Sequence, residues 1–361
     1  MKYFFAILLV LTASVILYTN APQFGGLPSR ASLERIRNSP NYKNGQFHNI
    51  GHDVRCDTLN AAKVIGLFKA FCNIVKNQNC FVPSIKTDLL ALRKDENVLV
   101  WLGHSSYFIQ IGGIRVLVDP VLSDVSSPIP FFPKALPGSN VYKPQDIPEV
   151  DYLIITHDHW DHLDYQAVKK LKFKTVICPL GVGGHFERWN FKSIIEMDWY
   201  ETIKLDCGFV LHCLPSKHFS GRCFLRNRTL WASFLLETPS QFKIFIGGDG
   251  GYDSRFAKFG RIYGRINLAI LENGQYNENW QSIHMRPEET LKAAEELNAE
   301  ALLPVHTAKF TLAPHKWNEP LQRISKLSNN KDIRVLTPMI GQIVNLKSKN
   351  QTFEKWWDET L

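Results

Sequence analysis

The sequence predicts an α+β protein built in layers, with two β-sheets inside and helices outside. Three observations predict it. Beyond Asn97, short runs rich in β-branched and aromatic residues follow one another closely. Helical patterns interrupt those runs too seldom for a regular strand–helix alternation. Histidines and aspartates recur where the apolar runs stop, so several strand ends carry polar chemistry. At 361 residues, 45% hydrophobic and 21% charged, the chain can bury a large core, and it has no compositionally disordered stretch and no solenoid-type repeat.

Residues 1–20 contain "YFFAILLVLTASVILY", sixteen residues without a charge and without a polar face. The run reads as a membrane segment, and as a signal anchor rather than a cleaved signal peptide, because Pro22 would follow a cut at Thr19–Ala21. With Lys2 inside, the body of the protein sits on the outer, extracytoplasmic side; a cut would make it secreted. Residues 21–95 form a Pro/Gly-rich linker and a helical lead-in. Within it Val64, Leu67, Phe68, Phe71, Ile74 and Val75 recur at helical spacing with Lys63, Lys69 and Lys76 between them. That pattern is a helix packed on the main domain, with a basic amphipathic helix on anionic lipid as the alternative. Cys56, Cys72 and Cys80 can supply one disulfide, whereas Cys178, Cys207, Cys213 and Cys223 lie in or beside strand-like runs and read as small core hydrophobes. The absence of a CxxC pair argues against a thiolate zinc knuckle.

Residues 96–347 form the main domain, and 348–361 a C-terminal tail. Strands are predicted at "NVLVWLG", "YFIQIGGIRVLVD" (a hairpin across Gly112-Gly113), "DYLIIT", "TVIC", "FVLHCL", "LWASFLLE", "KIFIGG", "LAIL", "ALLPVH" and "IRVL". Helices are predicted at "DYQAVKKLK" with Asp164 as N-cap, at "RPEETLKAAEEL" with Pro287 in its first turn, and from Glu319 to Leu327.

Directly after Leu153-Ile154-Ile155 comes "THDHWDH". In extended chain, residues two apart point the same way, so His157 and His159 can present imidazoles to one ion. After the turn at Trp160, Asp161 and His162 can face a second. A lone H-x-H carries little weight, but H-x-H-x-D-H has no structural need for so much imidazole. Further candidates stand at later strand ends: His218 in "HCLPSKHFSGR", Asp249 in "KIFIGGDGGYD" and His306 in "ALLPVHTAKF". The expected sets are His157, His159 and His218 for one ion and Asp161, His162 and His306 for the other, with Asp249 bridging. Imidazole and carboxylate without thiolate suit two divalent ions, Zn²⁺ first, with Mn²⁺ or Fe as alternatives.

Asp119 in "VLVDP", followed by "THDHWDH", His218, Asp249 and His306, resembles the metallo-β-lactamase-fold hydrolases over about Asn97 to Asn345. "VWLGHSSYFIQIGG", "LPSKHFSGR", "GDGGYD", "HMRPEET" and "LAPHKWNEP" are most similar to the branch holding the N-acyl-phosphatidylethanolamine-hydrolysing phospholipase D, the ascorbate-6-phosphate lactonase and RomA-type bacterial proteins. The resemblance implies a four-layer αβ/βα sandwich with a dimetal site at one edge of the sheets. It also gives Asp119 the task of orienting a metal-bound histidine. Two loops depart from the phospholipase D: Thr307-Ala308-Lys309 replaces Trp-Gly-Thr, and "ENGQYNENW" replaces Gly-Ala-Tyr-Glu-Pro.

The expected chemistry is hydrolysis by a metal-bridging hydroxide, with Asp161 and Asp249 as the catalytic carboxylates. The expected substrate is a small-molecule or lipid phosphate ester, a phospholipid-like phosphodiester first, with a lactone or amide as the alternative within the fold. A metal-binding envelope protein without turnover is the alternative of another class. His104, His284 and His315 stand in recognisable blocks and are candidates for substrate binding, whereas His48, His52, His185 and His212 read as ordinary. The formal charge of +8 favours anionic partners. "KKLKFK" and "RNR" read as solvated faces, and no aromatic-and-basic stripe points to nucleic acid. The partners expected are therefore the substrate and a membrane, with room for a homodimer.

Overall fold

Two seven-stranded sheets face each other in this computed structural model, which describes all residues except 1, 52, 54–71, 73–74, 76–78, 223–224 and 359–361. A small hairpin, β1 (Tyr42–Lys43) and β2 (Gln46–Phe47), precedes them. The first sheet contains β3 (Val98–Trp101), β4 (Tyr107–Ile111), β5 (Ile114–Val118), β6 (Val150–Ile154), β7 (Phe173–Pro179) and β8 (Ile194–Met197). The second contains β9 (Thr202–Lys204), β10 (Val210–Leu214), β11 (Ser233–Glu237), β12 (Lys243–Ile246), β13 (Leu268–Glu272), β14 (Ala301–Val305) and β15 (Arg334–Val335). Finally β16 (Ile343–Asn345) returns to the first sheet and pairs antiparallel with β3. Each sheet is antiparallel on one side and parallel on the other, with β5 to β8 and β12 to β15 forming the parallel halves.

Alternation along the strands decides what meets what. Leu99, Trp101, Ile109, Val116, Val118 and Ile154 point inward against Leu211, Phe234, Leu236, Ile244, Ile270 and Leu303. Their neighbours point outward and are covered by helices, since α1 (Lys2–Thr19) and α2 (Arg30–Asn38) precede a set that packs on the sheets. On the first sheet α3 (Tyr165–Val168) and α4 (Gly183–Arg188) cover Leu117, Leu153 and Val176 with Ala167, Val168 and Phe186. On the second α5 (Arg255–Tyr263), α6 (Pro287–Glu296) and α7 (Glu319–Ser328) cover Phe245, Ala269 and Leu302 with Phe259, Leu291 and Ile324. The result is the four-layer αβ/βα sandwich.

Several expectations need correction. No helix among the described residues is long and apolar enough to cross a membrane, so the anchor reading of residues 1–20 finds no span. The segment does form a helix, α1, but its 18 residues reach only about 27 Å, short of a hydrocarbon core of about 30 Å. The lead-in helix expected from Val64 to Val75 falls outside the described residues except at Cys72 and Val75. Cys72 and Cys80 are free thiols, so they form no disulfide with each other, and Cys56 lies outside the described residues. Cys178 and Cys213 are buried as expected, but Cys207 is exposed in a turn at φ 55°. The C-terminal stretch packs into the core: Trp356 and Trp357 are buried, and Trp356 meets Trp101 at 6.4 Å and Trp317 at 6.0 Å.

Asp164 shows how one carboxylate joins two elements. Its Oδ1 accepts from the backbone N–H groups of Gln166 and Ala167 at the start of α3, as the sequence predicts. Its Oδ2 accepts from Leu122 and Ser123, in the loop that follows Asp119. Asp164→Ala therefore strands four donors and should lower the unfolding free energy by about 2–3 kcal/mol. The shift in urea midpoint at unchanged m value measures it; a loss under about 0.5 kcal/mol would show that water replaces the carboxylate.

Candidate metal centre

Loops that follow strands of the parallel halves, together with the loop after antiparallel β10, meet at one edge of the sandwich. His157, His159, Asp161 and His162 follow β6, Asp119 follows β5, His218 lies beyond β10, Asp249 follows β12, Glu272 ends β13 and His306 follows β14. The first sheet thus supplies one half of the site and the second the other. Backbone strain accompanies the convergence, with Asp119, His104 and His306 at φ 41°, 52° and 63°, a region disfavoured for non-glycine residues. Gly274 is required for close approach, because a Cβ there would collide with the carbonyl oxygen of His306.

Two groups form as the spacing predicts. In the first, His157 Nε2 lies 2.9 Å from His159 Nδ1, and His218 Nε2 lies 3.3 Å from the same atom. In the second, Asp161, His162 and His306 converge, joined by His104. Asp249 stands between them, its Oδ1 3.2 Å from His162 Nε2 and 3.3 Å from His306 Nδ1, its Oδ2 3.8 Å from His218 Nε2. His162 Nε2, His306 Nε2 and Asp249 Oδ1 are buried without a hydrogen-bond partner of good geometry. Buried polar atoms are rarely left so, and all three belong to side chains of the His/Asp cluster. Closely set imidazole nitrogens facing a carboxylate fit divalent ions, and this His/Asp cluster is able to bind metal.

Electrostatics agree. Burial first, and then the neighbouring imidazoles, hold His157, His218 and His306 well below the ordinary histidine range, which keeps them neutral with lone pairs available. Burial likewise takes His159 down to about 4. For His162 burial works the same way, but Asp249, Asp161 and Asp119 overcome it and raise the group well above its usual value. Burial pushes Asp249 up to about 6, against the pull of His162.

A second layer fixes these side chains. Asp119 accepts from the Thr156 N–H at 2.8 Å and from its hydroxyl at 2.6 Å, while pairing with His162 Nδ1 at 2.7 Å. His104 holds Asp161 Oδ2 at 2.9 Å, and Ser105 meets His306 Nδ1 at 2.9 Å. Asn49 clamps His218 through both its backbone groups. His284 packs against His218 and His306 and is held at Nδ1 by Glu272 at 2.6 Å. His315 stands apart: Nε2 accepts from the Gln275 N–H, and Nδ1 meets the Lys316 carbonyl. Sequence reasoning missed Glu272, although it ends an apolar strand just as Asp249 follows one. Ser105, Asn49 and His185 carried no such signal.

The family model described as Beta-lactamase superfamily domain matches residues 114–307, more than half of the chain. The chain belongs to this family. Its superfamily relatives include an uncharacterized protein of Mycobacterium tuberculosis, 34% identical over 351 residues that cover 91% of this chain and 90% of that protein. The mitochondrial N-acyl-phosphatidylethanolamine-hydrolyzing phospholipase D of Saccharomyces cerevisiae is 30% identical over 239 residues, 63% of this chain and 51% of that one. An isothiocyanate hydrolase from Delia radicum gut bacteria shares the superfamily fold, with a TM-score of 0.55 at 17% identity over 68% of this chain and 98% of that one.

This superfamily member buries Lys309, three positions after His306. Its Nζ donates to the carbonyls of Val121 at 2.7 Å and Leu102 at 3.3 Å. Burial pushes the ammonium down to about 7. Because this pKa is lowered, the unfolded chain holds the proton longer, so the group adds stability as pH rises from about 7 towards 10.5. Lys309→Met should flatten that rise, read as the difference in urea midpoint between about pH 7 and about pH 9. An unchanged difference would show that the buried amine titrates normally. Asp119→Asn should weaken metal affinity about 10–100-fold, measured by chelator competition. Unaltered affinity would reduce Asp119 to a strut between loops.

Proposed function

We propose that this chain is a hydrolase that uses two divalent metal ions, most simply Zn²⁺, to cleave a phosphodiester of phospholipid type. The observation that carries the metal reading is the pair of ligand groups meeting at Asp249, with buried nitrogens and a carboxylate oxygen unpartnered at the focus. His157, His159 and His218 would hold one ion, Asp161, His162 and His306 the other, and Asp249 both. Ions so held would activate a water and neutralise charge developing on the phosphate oxygens. The lipid phosphodiester is supported by the 30% identical yeast phospholipase D and by apolar surface on α1.

The chain's own groups have separable tasks. Asp119 fixes the tautomer of His162 by engaging Nδ1, which leaves Nε2 directed at the focus. His104 fixes Asp161 in the same way. Glu272 engages Nδ1 of His284, leaving Nε2 to face a substrate oxygen or to pass a proton to a leaving group. The buried surroundings strengthen each of these interactions relative to water. Candidate nucleophiles on the protein are not needed.

Metal analysis of purified protein should give about two ions per chain, and fewer after Asp161→Ala or His306→Ala. Asp249→Asn should lower hydrolysis of the best substrate on the order of a hundredfold or more, because a neutral amide replaces the carboxylate between two dications. A panel of phosphodiester, lactone and β-lactam substrates decides the class. Full turnover by Asp249→Asn would sink the two-ion reading, and turnover on lactones alone would sink the phosphodiester.

A further inference from the structure

The metal-binding loop has a second face, turned away from the ions' focus. Asp158 and Trp160 make their contacts there, while His157, His159 and Asp161 belong to the metal-binding cluster. Asp158 Oδ2 accepts from His185 Nε2 at 3.0 Å and from the Thr229 hydroxyl at 2.9 Å, and Oδ1 accepts from the Gly221 N–H at 2.7 Å. Trp160 is covered by the Arg222 guanidinium, 4.0 Å from the ring centre, and packs edge-on against Phe24 at 5.1 Å. Buried Arg222 donates to the carbonyls of Asp158 at 2.9 Å, Leu163 at 2.7 Å and Gln23 at 2.9 Å.

Gln23 and Phe24 belong to the seven residues that follow α1, and the whole segment is strapped down. The Gly26 N–H donates to His185 Nδ1 at 3.1 Å, Arg188 donates to the Gly25 carbonyl at 2.7 Å, and Trp189 Nε1 donates to the Pro22 carbonyl at 2.7 Å. Gly25 lies so close to the His185 ring that a Cβ there would collide with it. One unbroken path of contacts thus runs from the end of α1 through His185 and Arg222 to the residues between the expected ligands.

α1 itself is bare. Tyr3, Leu9 and Leu17 are 87%, 72% and 74% exposed, and apolar residues occur on every face of the helix. A helix apolar all round is stable only when covered, and one without a polar face matches acyl chains. At its end Tyr18 packs on Phe24 at 5.4 Å and donates to the Pro128 carbonyl, beside exposed Ile129 and Phe131. Exposed Leu27 stands at the other end of the strap. The net charge of +8 favours the same partner, an anionic bilayer.

We propose that α1 docks in a lipid bilayer, and that the strap Asn20–Gly26 seats the mouth of the metal centre at that surface. The docking stands on its own, whereas the consequence for lipid hydrolysis rests on the phosphodiester reading. His159, Trp160 and Asp161 are half-buried where His157, Asp158 and His162 are buried, so the strap grips the loop at its opening. Substrate then reaches the ions from the bilayer without crossing bulk water.

The test uses the full chain and vesicles of phosphatidylcholine with phosphatidylglycerol, floated in high salt. Leu9→Glu with Leu17→Glu should cut co-flotation about tenfold or more, since each charge must be drawn into hydrocarbon. Metal content should stay unchanged. Phe24→Ala should still float, but its turnover of vesicle phospholipid relative to a water-soluble phosphodiester should fall about fivefold as the Trp160 contact is lost. Undiminished flotation of the double variant would overturn the docking. An unaltered turnover ratio in Phe24→Ala, with metal content intact, would overturn the strap. Flotation that depends on α1 in a protein that cleaves no phosphodiester upholds the docking and removes only the substrate reading.

Discussion

The carboxylate of Asp249 lies among imidazoles from both sheets, and the rest of the molecule can be understood from what that requires. His157 and His162 come from the first sheet, His218 and His306 from the second, and each sets a ring nitrogen between 3.2 and 4.0 Å from a carboxylate oxygen of that one side chain. Such closeness across two sheets demands that their edges end level and that the loops leaving them turn sharply. The inward stripes of Leu, Ile, Val and Phe set the separation of the sheets, and the positive φ angles at Asp119, His104 and His306 make the turns. The apolar core therefore does more than stabilise: it is the gauge that spaces the histidines and aspartates of the cluster.

The polar shell around the site follows from the same demand. Rings brought this close repel one another when protonated and wander when neutral unless something holds them. Asp119, Ser105, Asn49 and Glu272 each hold one ring or its backbone, and each is buried where a lost partner would leave a desolvated group. Asp158 does the corresponding work for the loop as a whole, from the opposite face.

Much of this was legible in the sequence because the signals were local. H-x-H-x-D-H concentrates candidate ligands in six residues, and Asp249 announces itself between an apolar strand and a glycine. The central strands carry their own β-branched runs and were found; β8, β9 and β16, with three or four residues each, were not distinguishable from loop. Glu272 was invisible as a site residue because its meaning lies in His284, twelve positions away and across a turn. The grip of Asn49 on His218 joins residues 169 positions apart, and only tertiary structure creates it. The sixteen uncharged residues near the start are already short for a span in the sequence, and α1, with 18 residues, supplies none.

The return of β16 to the edge of the first sheet has a consequence for how the molecule is made. Val98 pairs with Asn345, so a strand near the start of the domain waits for a partner about 245 residues later in the chain. Until that partner arrives, the Val98–Trp101 edge and the face that Trp356 will cover remain open to water and to other chains. The two sheets look like separable halves, yet the chain is wound so that neither can be cut away as an independent unit. Contacts of such long range close late and fold slowly. Assembly of the metal site's first half is thereby tied to synthesis of nearly the whole polypeptide.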